Sequence, residues 1–221
     1  EDNKRLRFLT LEECQRLIAC CQEHLKPIVT VALHTGMRRG EILGLKWEQV
    51  DLRHSFILLD TSKNGERREI PINTTLEYLF KEMPHSVESV FVFAGKKGKP
   101  LTDIKKSFHV ALKNAGILDF RFHDLRHTFA SHLVMAGVDL TSVKELLGHK
   151  DIKMTLRYSH LAPGHKRKAV QVLDRIMDEN EDVNLYNGHN LGTMSKQSQH
   201  RECPKPFVSM VGATGFEPAT S

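Results

Sequence analysis

The stretch FHDLRHTFASH, residues 122–132, carries three histidines and an arginine within one helical pattern. His123 and His127 are four apart and share a helix face, which is the spacing of two metal ligands. His123 and Arg126 are three apart and also share a face, which suits an anion such as a phosphate. For a metal helix of the H-E-x-x-H kind, Asp124 stands where a glutamate is required, and Arg126 would set a cation beside the metal. The phosphate-reading helix is therefore preferred. His127 and His132 are taken as ordinary structural histidines.

Three other segments carry residues of matching chemistry. HTGMRRGE, residues 34–41, offers Arg38 just after a helix break and Glu41 three residues on. TSKNGE, residues 61–66, offers Lys63 at a hairpin tip. LLGHKDIKMTLRY, residues 146–158, offers His149 and, nine residues later, Tyr158. Singly, each has a bland reading: a surface arginine, a solvated turn lysine, a Gly-His helix end, a tyrosine at a core edge. Arg39 beside Arg38 is read that way.

Together, in this order, the four segments resemble the phage-integrase family of tyrosine recombinases, over about residues 1–180. The resemblance implies a mainly α (α+β) fold, a helical integrase-type catalytic domain with a small antiparallel β-sheet. It implies site-specific cutting and rejoining of DNA strands through a 3′-phosphotyrosyl intermediate, for integration or excision of a mobile element. Such an intermediate keeps the energy of the broken phosphodiester. By resemblance Tyr158 is the nucleophile. Arg38 and Arg126, planar and permanently charged, would clamp the non-bridging oxygens. Lys63 would protonate the leaving 5′-oxygen, and His123 would move the tyrosine proton or serve the religation step. His149 would donate to a phosphate oxygen, and Glu41 would hold a catalytic side chain in place. No metal or other cofactor is implied, because the arginines supply the positive charge that magnesium supplies elsewhere. The partners implied are double-stranded DNA at a recombination site and three further copies in a synaptic tetramer. The resemblance also implies an N-terminal DNA-binding domain in cis that completes a clamp. Nothing in residues 1–10 matches that domain, so the chain reads as a fragment of something longer. The expected location is cytoplasmic and nucleoid-associated.

Competing readings are a type IB topoisomerase-like strand-passing enzyme, a DNA-binding regulator with a decayed site, and the metallohydrolase. The intact set of residue types argues against the regulator.

The elements that must position these residues are legible from periodicity and punctuation. Thr10 with Glu13 makes a capping-box start. Residues 26–36 read as a buried helix ended by Gly36, and residues 38–51 as a third helix. SFILLD and RREIPI, around Asn64-Gly65, read as a β-hairpin. Helix is expected near residues 75–83 and a short strand at residues 89–93. Thr102 is expected to cap an amphipathic helix over residues 103–116. The histidine helix should end at Gly137. Two short helices should follow over residues 139–161, and a last one over residues 164–180.

Composition fits this picture. The 221 residues are 40% hydrophobic and 27% charged with a net charge of +5, ordinary for a globular chain that meets a polyanion. KNGERR and KKGKP are loop-borne basic runs suited to phosphate contact. No apolar run approaches the roughly 18 residues of a membrane span, and the acidic start is no signal peptide. Cys14, Cys20, Cys21 and Cys203 show no ligand spacing and read as reduced thiols. Residues 181–221 turn polar and aperiodic and read as a flexible tail. Within it, Gly-Phe-Glu-Pro can be encoded by a sequence containing TTCGAA, which resembles the T-arm of a transfer-RNA gene. Given the resemblance, that tail reads as the by-product of a DNA attachment site.

Overall fold

The computed structural model describes residues 7–59, 67–84, 89–95, 98–162, 170–174 and 176–177. Lys63, the Asn64-Gly65 tip, most of residues 164–180 and the whole tail lie outside the described residues.

Helix α1 (Leu11–Cys20) starts at the expected capping box: Thr10 Oγ1 accepts from Glu13 N–H and the Glu13 carboxylate accepts from Thr10 N–H. Leu17 is its fully buried residue, and Cys14, Cys20 and Cys21 pack half-buried against the core as free thiols. Helix α2 (Lys26–Thr35) is buried along most of its length and stops at Gly36, whose φ of 61° is left-handed. A side chain there would press on Phe129 and Leu147, so position 36 needs glycine for space as well as for φ.

Helix α3 (Arg39–Leu43) is much shorter than the expected third helix. Its ladder ends where Gly44 N–H bonds back to Gly40 O, and the chain then leaves the helix: Trp47 N–H donates to Val90 O and Val92 N–H to Leu45 O. A 3-10 turn (Trp47–Gln49) leads into strand β1 (Val50–Asp51). β2 (Phe56–Leu59) and β3 (Arg68–Pro71) form the expected hairpin, pairing Phe56 with Pro71 and Leu59 with Arg68. Val50–Asp51 adds antiparallel to β2, giving a three-stranded sheet in the order β1-β2-β3.

Helix α4 (Thr74–Glu82) is capped by Asn73. The strand expected at residues 89–93 is reduced to isolated bridges, Lys46 with Phe91 and Ala94 with Pro100. Helix α5 (Lys105–Asn114) begins after Ile104, not at Thr102; Asp103 Oδ1 accepts from Lys105 N–H instead. Then come α6 (Asp124–Met135), α7 (Leu140–Leu147), α8 (Lys153–Leu156) and a 3-10 turn (Ser159–Leu161). Residues 170–174 and 176–177 are also helical.

Two cores result. The larger joins α1 to α5 with the sheet, through Leu17, Ile28, Ile57, Ile70, Phe80 and Leu125. The smaller joins α6, α7 and the segment after α8, through Ala130, Val134, Val143, Leu147 and Tyr158. Helix α6 lies between them and buries polar residues: Asp124, Arg126, Thr128 and Ser131. Burying such groups without partners is costly. Asp124 Oδ2 accepts from Arg121 N–H at 2.8 Å, and Thr128 Oγ1 donates to Asp124 O at 2.9 Å and accepts from Leu9 N–H at 3.1 Å. Leu9 N–H thus ties α6 to the segment before α1, while Ser131 Oγ is buried without a hydrogen-bond partner among the described residues. Among the described residues no helix is long and apolar enough to cross a membrane.

Candidate active site

Arg38 occupies the N-cap of α3. Its backbone N–H donates to Glu41 Oε2 and its Nη1 to Glu41 Oε1, both at 2.8 Å. The same carboxylate accepts from Arg68 Nη2 at 2.9 Å. Glu41 therefore pairs with Arg38 and also with a second arginine, Arg68, that the sequence reading does not single out. The two arginines differ in access. The Arg38 side chain keeps 26% of its surface exposed, whereas Arg68 keeps 7%. Arg38 can meet an incoming anion; Arg68 is an internal strut. Burial alone would raise the Glu41 carboxyl, but Arg68 and the hydrogen bonds from Arg38 outweigh it and hold the group below the usual range.

Arg126 projects from α6 toward the same place. Its Nη1 donates to Gly36 O at 2.6 Å and its Nη2 to Leu147 O. Burial, with Arg38 and Arg68 nearby, pushes its guanidinium down to about 9. Two guanidiniums thus bind one carboxylate and a third lies close to them, its donors satisfied by the carbonyls of Gly36 and Leu147.

Helix α7 ends at Gly148, left-handed at φ 61°, and this turn sets His149 over the arginines. His149 Nδ1 lies 2.8 Å from Thr155 Oγ1. Burial, with Arg126, Arg38 and Arg68, pushes its imidazole down to about 4, so it is neutral near pH 7. A Thr155 hydroxyl that donates to Nδ1 leaves the imidazole proton on Nε2, from which it can be offered to an anion. His123, at the start of α6, is also lowered, first by burial and then by Arg126.

Tyr158 is 1% exposed, with its ring in the smaller core. Burial raises its hydroxyl above the ordinary range, while Arg157 and Arg126 pull the other way. The hydroxyl lies 2.6 Å from His127 Nδ1. A cavity of about 480 Å³ is lined by His123, Arg126, His127, His149, Arg157 and Tyr158. A larger one of about 770 Å³ shares His149 and is bordered by Arg67, Arg68 and Lys144.

His123, Arg126, His149 and Tyr158, drawn from two separate segments, thus line one polar hollow, and Arg38, from a third and paired with Glu41, reaches the turn beside it at Gly148 O. Lys63 lies outside the described residues. The sequence reading missed Arg68 and placed His127 among structural histidines; the fold sets His127 against the tyrosine hydroxyl. The His123 and His127 rings meet edge to face at 5.2 Å, the consequence of their four-residue spacing. Among the described residues no group of three or more His, Cys, Asp or Glu side chains is arranged to hold a metal ion.

Comparison with known proteins places this arrangement. The model of the phage integrase family matches residues 7–165. The integrase of Salmonella phage P22 is 40% identical over 188 residues, covering 79% of this chain and 49% of that protein. The catalytic domain of bacteriophage HP1 integrase superposes with a TM-score of 0.61 at 34% identity, over 76% of this chain and 95% of that one. The XerH site-specific recombinase bound to its difH substrate gives a TM-score of 0.63 at 25% identity, over 77% of this chain and 55% of that one. The chain spans about half the length of the curated relatives it matches.

Proposed function

Because the chain belongs to the phage integrase family, we propose that it carries the catalytic machinery of a site-specific DNA recombinase that cuts and rejoins strands through Tyr158. The scissile phosphate enters the hollow between Arg38 and Arg126. Their fixed charges meet the negative charge that develops on the non-bridging oxygens. His149 donates from Nε2 to one of those oxygens. Tyr158 Oη attacks phosphorus and the 5′-oxygen leaves, protonated by Lys63. The product is a 3′-phosphotyrosyl link and a free 5′-hydroxyl. Attack by another 5′-hydroxyl reverses the step and joins strands. The tyrosine proton and the religation step also need an acid/base group, and His123 is the candidate the resemblance points to. The larger cavity beside His149, with Arg67 and Lys144 on its border, continues the positive surface along which a DNA backbone would run. In synapsis four copies act on two duplexes, in the cytoplasm where the DNA lies.

The observation that carries this reading is the placement of Tyr158 and Arg126 in one cavity, with two more guanidiniums, Arg38 and Arg68, held close to Arg126 by a single carboxylate. A polyanion is the ligand that such a charge excess favours, and a tyrosine hydroxyl at its edge is a nucleophile for phosphorus. The test is incubation with a library of nicked duplexes of randomised sequence, followed by denaturing recovery of covalent protein–DNA adducts. Adducts enriched in a common sequence are expected. Relaxation of supercoiled plasmid with no sequence preference would favour the topoisomerase-like alternative, and no adduct at all would overturn the reading.

A further inference from the structure

We propose that His127 is the proton acceptor for Tyr158, an inference that rests on the recombinase reading above. Tyr158 is buried in the smaller core with Ala130, Val134, Val143 and Leu147, and its hydroxyl end meets a polar group. That end lies 2.6 Å from His127 Nδ1, within the range of a short hydrogen bond. The two rings are 5.9 Å apart and tilted by 48°, so the hydroxyl approaches the edge of the imidazole and not its face. His123, the family-like acid/base candidate, stands one ring further away, edge to face with His127.

The electrostatics support the same direction of transfer. Burial, with Arg157 and His123, pushes His127 down to about 4. The imidazole is therefore neutral near pH 7, and in the tautomer with its proton on Nε2 the Nδ1 atom has a lone pair for the phenol proton. Before attack the transfer is uphill, because the phenol is the much weaker acid. As the Oη–P bond forms, the phenolic oxygen loses electron density and its proton becomes strongly acidic. The phosphodiester's negative charge also stabilises the imidazolium that forms.

The step balances as follows. The Oη–P bond forms and the Oη–H bond breaks, with the proton passing to His127 Nδ1. The P–O5′ bond breaks, and the 5′-oxygen takes a proton from the acid on the leaving side, assigned above to Lys63. In religation the 5′-hydroxyl attacks phosphorus and passes its proton back to the neutral Lys63 amine, the Oη–P bond breaks, and His127 Nδ1 returns its proton to Tyr158 Oη. His127 thus works on the nucleophile and Lys63 on the leaving group, and substitutions can tell these roles apart.

The experiment measures single-turnover adduct formation on the randomised nicked duplexes for the parent, Tyr158→Phe, His127→Ala and His127→Gln, with DNA binding and Tm recorded for each. His127→Gln can still hydrogen-bond Oη but cannot take its proton. Both His127 variants should form adduct about 10²–10⁴-fold more slowly than the parent, the usual scale of general acid–base catalysis, with DNA binding kept. Added imidazole should speed His127→Ala and leave His127→Gln unchanged. A substrate with a 5′-bridging sulfur, whose thiolate leaves without a proton, should restore Lys63→Ala and not His127→Gln. Parent-like rates in His127→Gln would overturn the proposal and leave His127 an anchor for the phenol. Rescue of His127→Gln by the bridging sulfur would also overturn it, by moving His127 to the leaving-group side. If the parent itself forms no adduct, the recombinase reading falls and this inference with it.

Discussion

Arg68 and Arg126, from β3 and α6, donate to one and the same acceptor, the carbonyl of Leu147. Leu147 closes α7, where the helix dipole is negative and the carbonyls lack intrahelical partners. Two buried guanidiniums supply those partners. The next residue is the left-handed Gly148 and the one after it is His149. The position of His149 is therefore set by side chains 79 and 21 residues earlier than the carbonyl they bind. The same two arginines raise the positive charge of the hollow, and Glu41 is what keeps that concentration of charge tolerable in a folded chain.

Glu41→Gln keeps the size of the side chain and removes its charge. Arg38 and Arg68 then lie beside a neutral amide, with Arg126 close by. Removing one partner of a buried ion pair typically costs about 3–5 kcal/mol, and a loss on that scale is expected in urea unfolding. Duplex DNA should restore part of it, because the phosphates replace the missing anion. A midpoint equal to the parent's would show that the carboxylate is not what holds the two arginines.

Gly148→Ala should damage stability and cleavage together. At φ 61° an alanine is in the left-handed region, and its Cβ would overlap Arg68 Nη1 and lie 2.9 Å from Arg68 Cδ. The backbone conformation alone costs about 1–2 kcal/mol. Moving Arg68 would also shift His149, and a displacement of about 1 Å at a reacting centre can slow a reaction about 10²-fold. Thermal melting and single-turnover cleavage check both parts; full activity in a destabilised variant would detach Gly148 from the positioning of His149.

Acid should weaken the fold in a defined window. His127 and His149 are both pushed down to about 4 from an ordinary 6.5. Facing His127 are Arg157, His123 and Arg126, with Asp124 in opposition; facing His149 are Arg126, Arg38, Arg68 and His127. Between those values the unfolded chain binds more protons than the folded one, so stability rises with pH there. It is fully present above about 6.5 and is lost as pH falls toward about 4. Melting temperatures should drop across that window, and less so with duplex DNA bound, since phosphate favours the protonated rings. A flat profile from pH 6.5 to 5 would contradict the placement of both histidines.

Local punctuation was the readable part of this fold. The Thr10–Glu13 box, the stop at Gly36 and the β2–β3 hairpin each depend on a few adjacent residues, and each is where the sequence puts it. The failures are where distant partners decide. The third helix ends early because residues 45–47 pair with residues 90–92, a partnership that no helical period can announce. Thr102 does not cap α5, which starts two residues later behind Ile104 with Asp103 Oδ1 accepting from Lys105 N–H. Arg68 carried a signal that passed unread: it alternates in phase with Ile70, so it stands on the buried face of β3. His127 carried one as well, sharing the helix face of His123. Only the return of residue 158, 31 positions later, turns that face into a contact with a nucleophile.

The central claim is that Tyr158 is the atom carrier of strand cleavage, and mapping the covalent adduct tests it most directly. The chain is trapped on nicked duplexes, digested with protease, and the nucleotide-bearing peptide is identified by mass spectrometry. There are three tyrosines to choose from, Tyr78, Tyr158 and Tyr186. The DNA should be found on Tyr158 through a 3′-phosphate, leaving a free 5′-hydroxyl on the other fragment, and Tyr158→Phe should bind DNA and yield no adduct. DNA attached to Tyr78 or Tyr186, attachment through a 5′-phosphate, or an adduct that survives in Tyr158→Phe would contradict it.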